Sequence, residues 1–304
     1  MTEAQKQIAN DISYAHAAET RPGRAMIRTL ENATGRLGLI QRVAGYQDEV
    51  SAGADFWDVM VKRYGLSLEI TKGSLASIPT EGPVVVVANH PYGILDGLMM
   101  GHILSAARDG DFRILAHRVF RKAEELERVI LPISFDETRE AMALNLETRR
   151  LALDYLEHGG AIGVFPGGTV STAAKPFSTP LDPAWRSFTA KMIAKSGATV
   201  VPVYFEGANS RLFQVASHLH STLRVALLIN EFKRRTDEPV KIAVGAPIAS
   251  HEITARRGDP RAMMDFLRGE TYALSPKAQT CAEYGFEFDD KQKKARTIGS
   301  RDTG

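Results

Sequence analysis

The run Val84-Val85-Val86-Val87-Ala88 constrains this chain more than any other stretch. Successive β-branched residues without polar alternation predict a strand covered on both faces, as in a parallel sheet held between helices. Ala161 to Phe165 and Thr199 to Phe205 have the same form. Between these runs lie helical stretches. One leads from Asp96 through Leu98 to Ala107, and another runs from Thr138 to His158 and stops at Gly159-Gly160, a glycine C-terminal signal. A third spans Trp185 to Lys195 and ends at Gly197. Leu66 to Ile70, Phe112 to Ala116, Ile130 to Ser134, Leu223 to Ile229 and Val240 to Val244 read as further strands. Arg118 to Arg128 reads as a charged helix and Asp259 to Leu274 as a closing one. Strands alternating with helices predict the α/β class: a largely parallel central sheet flanked by helices, with an N-terminal helical segment.

Three regions follow. Residues 1–65 form an N-terminal helical segment, residues 66–288 the α/β domain, and residues 289–304 a basic tail expected to be disordered. Residues 54–64 read as one helix of the first region. Over 23–45, Met26, Leu30, Leu37 and Ile40 share one helical face, with Ile27 and Val43 at its edges and Leu39 outside it. Arg24, Arg28 and Arg42 lie opposite. Such a helix packs on its own domain or lies in a membrane interface, which makes the segment a candidate for docking there. Net charge is only +2, so nothing in bulk demands nucleic acid, yet local basic clusters suit anionic ligands or membrane surfaces. No run of about 18 apolar residues exists to cross a bilayer. The first residues, with Glu3, Asp11 and Glu19, lack the order of a signal peptide. A single cysteine, Cys281, leaves no intrachain disulfide and fits a reducing compartment, so the expected location is cytoplasmic.

In open α/β sheets, sites gather beyond the carboxyl ends of the strands. Three of the predicted strands end in polar turns: at His90-Pro91, at Pro166-Gly167-Gly168-Thr169, and at Glu206-Gly207-Ala208-Asn209-Ser210. His90 and Asp96 flank one tight turn in which Pro91 fixes a dihedral and Gly93 permits a positive one. Sharing a hydrogen bond, they would make a general base oriented by a carboxylate. Gly167, Gly168 and Thr169 either cradle an anion with backbone N–H groups and a hydroxyl or simply turn the chain. Lys175, just beyond, is a candidate cation. Glu206 and Asn209 are candidates for orienting a head group. Ser210 lacks the Gly-x-Ser-x-Gly elbow of a nucleophile. No dinucleotide fingerprint, phosphate loop or metal-spaced His or Cys cluster is present, so no metal is expected.

The blocks Asn89-His90…Asp96-Gly97, Phe165-Pro166-Gly167-Gly168-Thr169 and Val201-Pro202-Val203, in this order, resemble those of the glycerolipid (PlsC-type) acyltransferases. Ile78-Pro79, Glu206 through Phe213 and Gly245-Ala246-Pro247-Ile248 are similar to a bacterial branch called hemolysin-like, related to lyso-ornithine-lipid acyltransferases. The resemblance spans roughly residues 25–275. It implies that His90 and Asp96 form a catalytic dyad and that the second block, with Gly167, Gly168 and Thr169, binds the acceptor's head group. Arg118 matches a basic residue of the family's intermediate block, with His117 beside it as a weaker candidate. Two departures stand out. Five residues, Pro91 to Leu95, separate His and Asp where the family has four. The second block has Gly167 where the family has Glu and Val170 where it has Arg, so either another cation serves or the head group is not a phosphate monoester. The resemblance implies an O-acyltransferase moving a fatty acyl group from acyl-CoA or acyl carrier protein to a lyso-lipid hydroxyl. No cofactor is implied beyond that co-substrate. The partners implied are the donor thioester, the lyso-lipid acceptor and a membrane surface, with no nucleic acid. The location implied is peripheral, at the inner face of the cytoplasmic membrane. Lyso-ornithine-type lipid and lysophosphatidate both stand as acceptors. A rival of a different class is a non-catalytic lipid- or acyl-CoA-binding protein on the same scaffold.

Overall fold

A computed structural model describes Ser13, Ala15 and residues 20–117, 124–134, 138–277 and 283–287. Arg118 and Cys281 lie outside the described residues, as does the tail from 288. The sheet is built from β1 (Ser67–Lys72), β2 (Val84–Ala88), β3 (Arg113–His117), β4 (Ile130–Ile133), β5 (Ala161–Val164), β8 (Thr199–Phe205) and β9 (Pro239–Val244). Its order is β1-β9-β8-β2-β5-β3-β4. All neighbours run parallel except β8 and β9. The largely parallel α/β sheet read from the sequence is therefore the fold observed. Two further short strands, β6 (Thr172–Ala173) and β7 (Pro180–Leu181), pair antiparallel as a hairpin outside the sheet.

The valine run behaves as its composition demands. Every residue of β2 is fully buried. Val84, Val86 and Ala88 enter one hydrophobic cluster, and Val85 and Val87 the other. The first is covered by α4 (Phe56–Arg63) and α5 (Ile94–Ala107), the second by α7 (Arg139–Glu157), α8 (Ser187–Ser196) and α12 (Pro260–Tyr272). A strand with two apolar faces has no solvent side to tolerate a polar residue.

The topology sets the site's position. From β2 the chain crosses through α5 to β3 on one side; from β5 it crosses through α8 to β8 on the other. The sheet reverses direction of winding around β2, which lies between β5 and β8. The loops leaving the parallel strands β8, β2 and β5 are thus neighbours at one edge, at a topological switch point.

Two expectations are corrected. The helix expected over 23–45 is two, α1 (Arg21–Thr34) and α2 (Arg36–Val43). They part at Gly35, whose φ of 125° no L side chain adopts comfortably. The break resets the helical phase. Leu39, which falls outside the continuous face, is 1% exposed, while Met26 and Leu37 are 43% and 53% exposed. Leu223 to Ile229, read as a strand, lies within α10 (Ser221–Lys233). A short apolar run fits a buried helix as well as a strand, and here burial recurs at Arg224, Leu228 and Phe232. The preceding α9 (Arg211–Leu219) lies in a stretch not read as a helix from the sequence. The remaining helices are α3 (Tyr46–Ser51), α6 (Glu124–Val129) and α11 (Ser250–Ala255). Among the described residues no helix is long and apolar enough to cross a membrane.

Candidate active site

The loop from β2 is pinned on both sides. Asn89, buried, donates Nδ2 to the carbonyl of Phe205 at 2.9 Å and accepts the Phe205 N–H at 2.7 Å, fastening the ends of β2 and β8. The N–H of His90 donates to Asp182 Oδ1 at 3.1 Å, and its carbonyl accepts from Ser171 N–H at 2.7 Å. The imidazole stacks on Phe165, ring centroids 4.4 Å apart, at the end of β5. Backbone and ring of His90 are therefore fixed by three separate segments.

Asp96 lies in the first turn of α5, where a carboxylate faces the positive end of the helix. It is fully buried. Its Oδ2 accepts the N–H groups of Tyr92 at 2.7 Å and Gly93 at 3.0 Å. Gly93 reaches this geometry at φ 92°, so the glycine is required by the turn. His90 Nδ1 stands 3.0 Å from the same oxygen. The ring N–H points off the line to it, so Nδ1 lacks a well-directed hydrogen bond, and Asp96 Oδ1 has no partner. The two side chains touch without being aligned, as catalytic pairs often do before substrate tightens them. The fifth intervening residue is absorbed in the turn without parting them. Burial raises the Asp96 carboxyl above the usual carboxylate range, opposed by His90 and by the N–H groups of Tyr92 and Gly93.

The second block sits beside this pair, and its polar support comes from elsewhere in the chain. The N–H of Gly168 closes the turn on the carbonyl of Phe165 at 3.0 Å. A side chain on Gly167 would meet Asp182 at 3.4 Å. Val170 is buried with Phe213 and Leu228, so the residue standing where the family pattern has arginine points into the core. A guanidinium nevertheless arrives: Arg224, buried on α10, donates Nη2 to Thr169 Oγ1 at 3.0 Å and to the Val170 carbonyl at 2.9 Å. Its Nη1 donates to Thr172 Oγ1 and Ser217 Oγ. Asp182, fully buried, accepts from His90 N–H, Ser171 Oγ and Trp185 Nε1, tying the first block to the second.

The remaining expected residues divide. Asn209 is 5% exposed and neither its side-chain nitrogen nor its oxygen has a partner. Such a group in a closed interior is costly, and a ligand is one way to satisfy it. Glu206 turns its carboxylate to Thr71 Oγ1 on β1, away from His90, while its carbonyl accepts from Tyr92 OH at 2.8 Å. Burial pushes the Tyr92 phenol up to about 12, so it stays a donor. Lys175 is exposed in the β6–β7 hairpin loop, its N–H bonded to Ser178 Oγ. Arg224 and Asp182 were not singled out in the sequence. The first lies in a segment read as a strand, the second in Leu181-Asp182-Pro183, which carries no motif. A groove of about 500 Å³ bounded by β4 and α7 opens at the opposite end of the sheet, by Arg113 and His158, remote from these groups. Among the described residues no group of three or more His, Cys, Asp or Glu side chains is placed to hold a metal ion.

Known proteins place the arrangement in context. A lyso-glycine lipid O-acyltransferase of Phocaeicola vulgatus is 26% identical over 229 residues, covering 73% of this chain and 78% of that protein. One of Bacteroides thetaiotaomicron is 25% identical over 226 residues, covering 67% and 77%. The crystal structure of the 1-acyl-sn-glycerophosphate acyltransferase PlsC from Thermotoga maritima superposes with a TM-score of 0.43 at 16% identity, over 84% of this chain and 100% of that one. The model of the family described as acyltransferase matches residues 52–280, well over half the chain, and takes in all three strand-end blocks. The protein belongs to the acyltransferase family and is an acyltransferase.

Proposed function

We propose that the chain moves a fatty acyl group from an acyl thioester, acyl-CoA or acyl carrier protein, to the hydroxyl of a lyso-lipid, with His90 as general base. The observation that carries this reading is the His90–Asp96 contact where the loops of three neighbouring strands meet. With Nδ1 turned to Asp96, Nε2 is the nitrogen left to take the acceptor's proton. The acceptor oxygen bonds to the thioester carbonyl carbon, the tetrahedral oxyanion collapses, the C–S bond breaks, and His90 returns the proton to the thiolate. Asp96 holds the ring tautomer and stabilises the imidazolium. The step uses no cofactor beyond the donor. Backbone N–H groups at the glycine turn are the candidates for the oxyanion.

For the acceptor we favour an amino-acid-based lyso-lipid over lysophosphatidate. The relatives above are named for a lyso-glycine lipid. The second block has no arginine of its own, and the guanidinium of Arg224 is spent on Thr169, Thr172, Ser217 and the Val170 carbonyl. An uncommitted bidentate clamp, which a phosphate monoester favours, is not supplied there. The unpartnered amide of Asn209 suits the amide of an amino-acid-based head group, to which it can both donate and accept. The protein would work as a peripheral enzyme at the inner face of the cytoplasmic membrane. The test is turnover across lyso-glycine, lyso-ornithine and lysophosphatidate acceptors with both donor types and H90A as control. Transfer by H90A at a normal rate would remove the dyad, and preference for lysophosphatidate would remove the acceptor assignment.

A further inference from the structure

Helix α9 buries Phe213 and Ala216 with two polar residues and leaves its two leucines to solvent. Its buried face consists of Phe213, Gln214, Ala216 and Ser217. Gln214 and Ser217 are consumed there: Gln214 accepts the Ala173 N–H at 2.9 Å, and Ser217 accepts from Arg224 at 3.2 Å. On the opposite side, Leu212 is 59% and Leu219 72% exposed, with Val215 between them. Positions seven apart lie on one stripe, about 10 Å along the axis. A helix that packs on its own domain turns its large apolar residues inward, as α9 does with Phe213 and does not with Leu212 and Leu219.

The β6–β7 hairpin extends this stripe. Phe177, in its loop, is 77% exposed, and its carbonyl accepts from Arg211 Nη1 at 3.1 Å. His218 Nε2 lies 2.9 Å from the Ala173 carbonyl, so α9 and the hairpin are fastened at both ends. Exposed Lys175 and Arg211 border the apolar residues. The sequence has no acidic residue from Gly207 to Asn230 and none from Thr172 to Leu181. Scattered exposed apolar side chains are ordinary, but three large ones on a joined surface bordered by Lys175 and Arg211, with exposed Glu287 beside Phe286 at its His218 end, call for a partner.

We propose that α9 and the hairpin loop are the membrane-docking surface: Phe177, Leu212 and Leu219 enter the headgroup–acyl boundary of an anionic bilayer, and Lys175 and Arg211 face its lipid phosphates. The charge pattern selects an anionic lipid surface. Continuity with the site supports it too, because Ser171, at the base of the hairpin, donates to the carbonyl of His90. This surface is distinct from the N-terminal segment named as the docking candidate on sequence grounds. The inference deepens the proposal that the acceptor is a membrane lipid, yet vesicle binding is read without turnover, so the two fail separately.

The experiment is co-sedimentation of the full-length protein with phosphatidylcholine vesicles, with and without phosphatidylglycerol. Wild-type protein should bind the phosphatidylglycerol vesicles and lose roughly tenfold or more of that partition without it. F177S, which sits in a loop and leaves the fold alone, should lower partition about tenfold, and L212S with L219S by more. M26S with L37S, on the N-terminal helices, should change it little. Activity of F177S on detergent-dispersed acceptor should stay near normal. No binding by wild type, or binding lost in the N-terminal pair and kept in F177S, overturns the proposal. So does a wild-type dimer in solution that F177S dissociates, which would assign the surface to a second copy of the chain.

Discussion

The first and second blocks solve the same problem, placing charge at a strand end, in opposite ways. Around His90 everything needed lies within seven residues: the imidazole, the carboxylate of Asp96 and the N–H groups of Tyr92 and Gly93 that hold it. Around Thr169 the charged groups bonded to the block are not local. Its guanidinium comes from Arg224, and the carboxylate bridging it to the first block comes from Asp182. A local constellation can be read from spacing, whereas an imported one exists only after the chain has folded. The imported group is also a different tool: a buried arginine bonded to loop oxygens shapes the turn, while an arginine in the motif itself would be available to a ligand.

That contrast breaks first at His90. H90A should lower kcat by about 10³-fold or more with unchanged thermal unfolding, measured in a thioester-release assay. D96N should cost about 10²-fold to 10³-fold. Because burial raises Asp96, protonation silences it at a higher pH than an exposed carboxylate, so the advantage of wild type over D96N in kcat should shrink as pH falls through that raised value. The linkage to stability has the matching sign. A raised folded-state pKa favours the fold at low pH, and that contribution is lost as pH rises through the raised value. Above it D96N should therefore unfold at the same or higher temperature than wild type, a split between stability and activity that calorimetry at two pH values would detect.

The second block should respond differently. V170R forces a charge among Phe213 and Leu228 and should cost about 3 kcal/mol of stability in a denaturant titration, without improving use of lysophosphatidate. Arg224 sharpens the contrast further. R224Q should raise KM for the acceptor about tenfold with a smaller change in kcat, and R224K should recover only part of it, since one ammonium cannot reproduce the fork. An equal fall of kcat and kcat/KM would instead put Arg224 in the transition state. N209A should have the smallest effect, about a threefold rise in acceptor KM, because only one neutral hydrogen-bonding side chain is lost.

The sheet was legible because β2, β5 and β8 are buried on both faces and their composition shows it. The pairing of His90 with Asp96 was legible because one turn holds both. α10 was not, because its apolar run is too short to separate the strand period from the helical one, and the arginine inside it shared the error. The break at Gly35 escaped because the helical pattern continues through a glycine whose φ is set by the fold. Asp182 had no signal at all: its three acceptor bonds to His90, Ser171 and Trp185 depend on a hairpin that pattern reading does not foresee.

Asn89 has a mechanical consequence. Its amide replaces one rung of backbone ladder between β2 and β8, giving and taking a bond with the same residue, Phe205. The ends of β2 and β8, from which the loops carrying His90 and Asn209 leave, are thereby riveted together. Aspartate at position 89 would set an acceptor against the Phe205 carbonyl and loosen the rivet, so the register of the His90 loop against the Asn209 loop rests in part on this one amide.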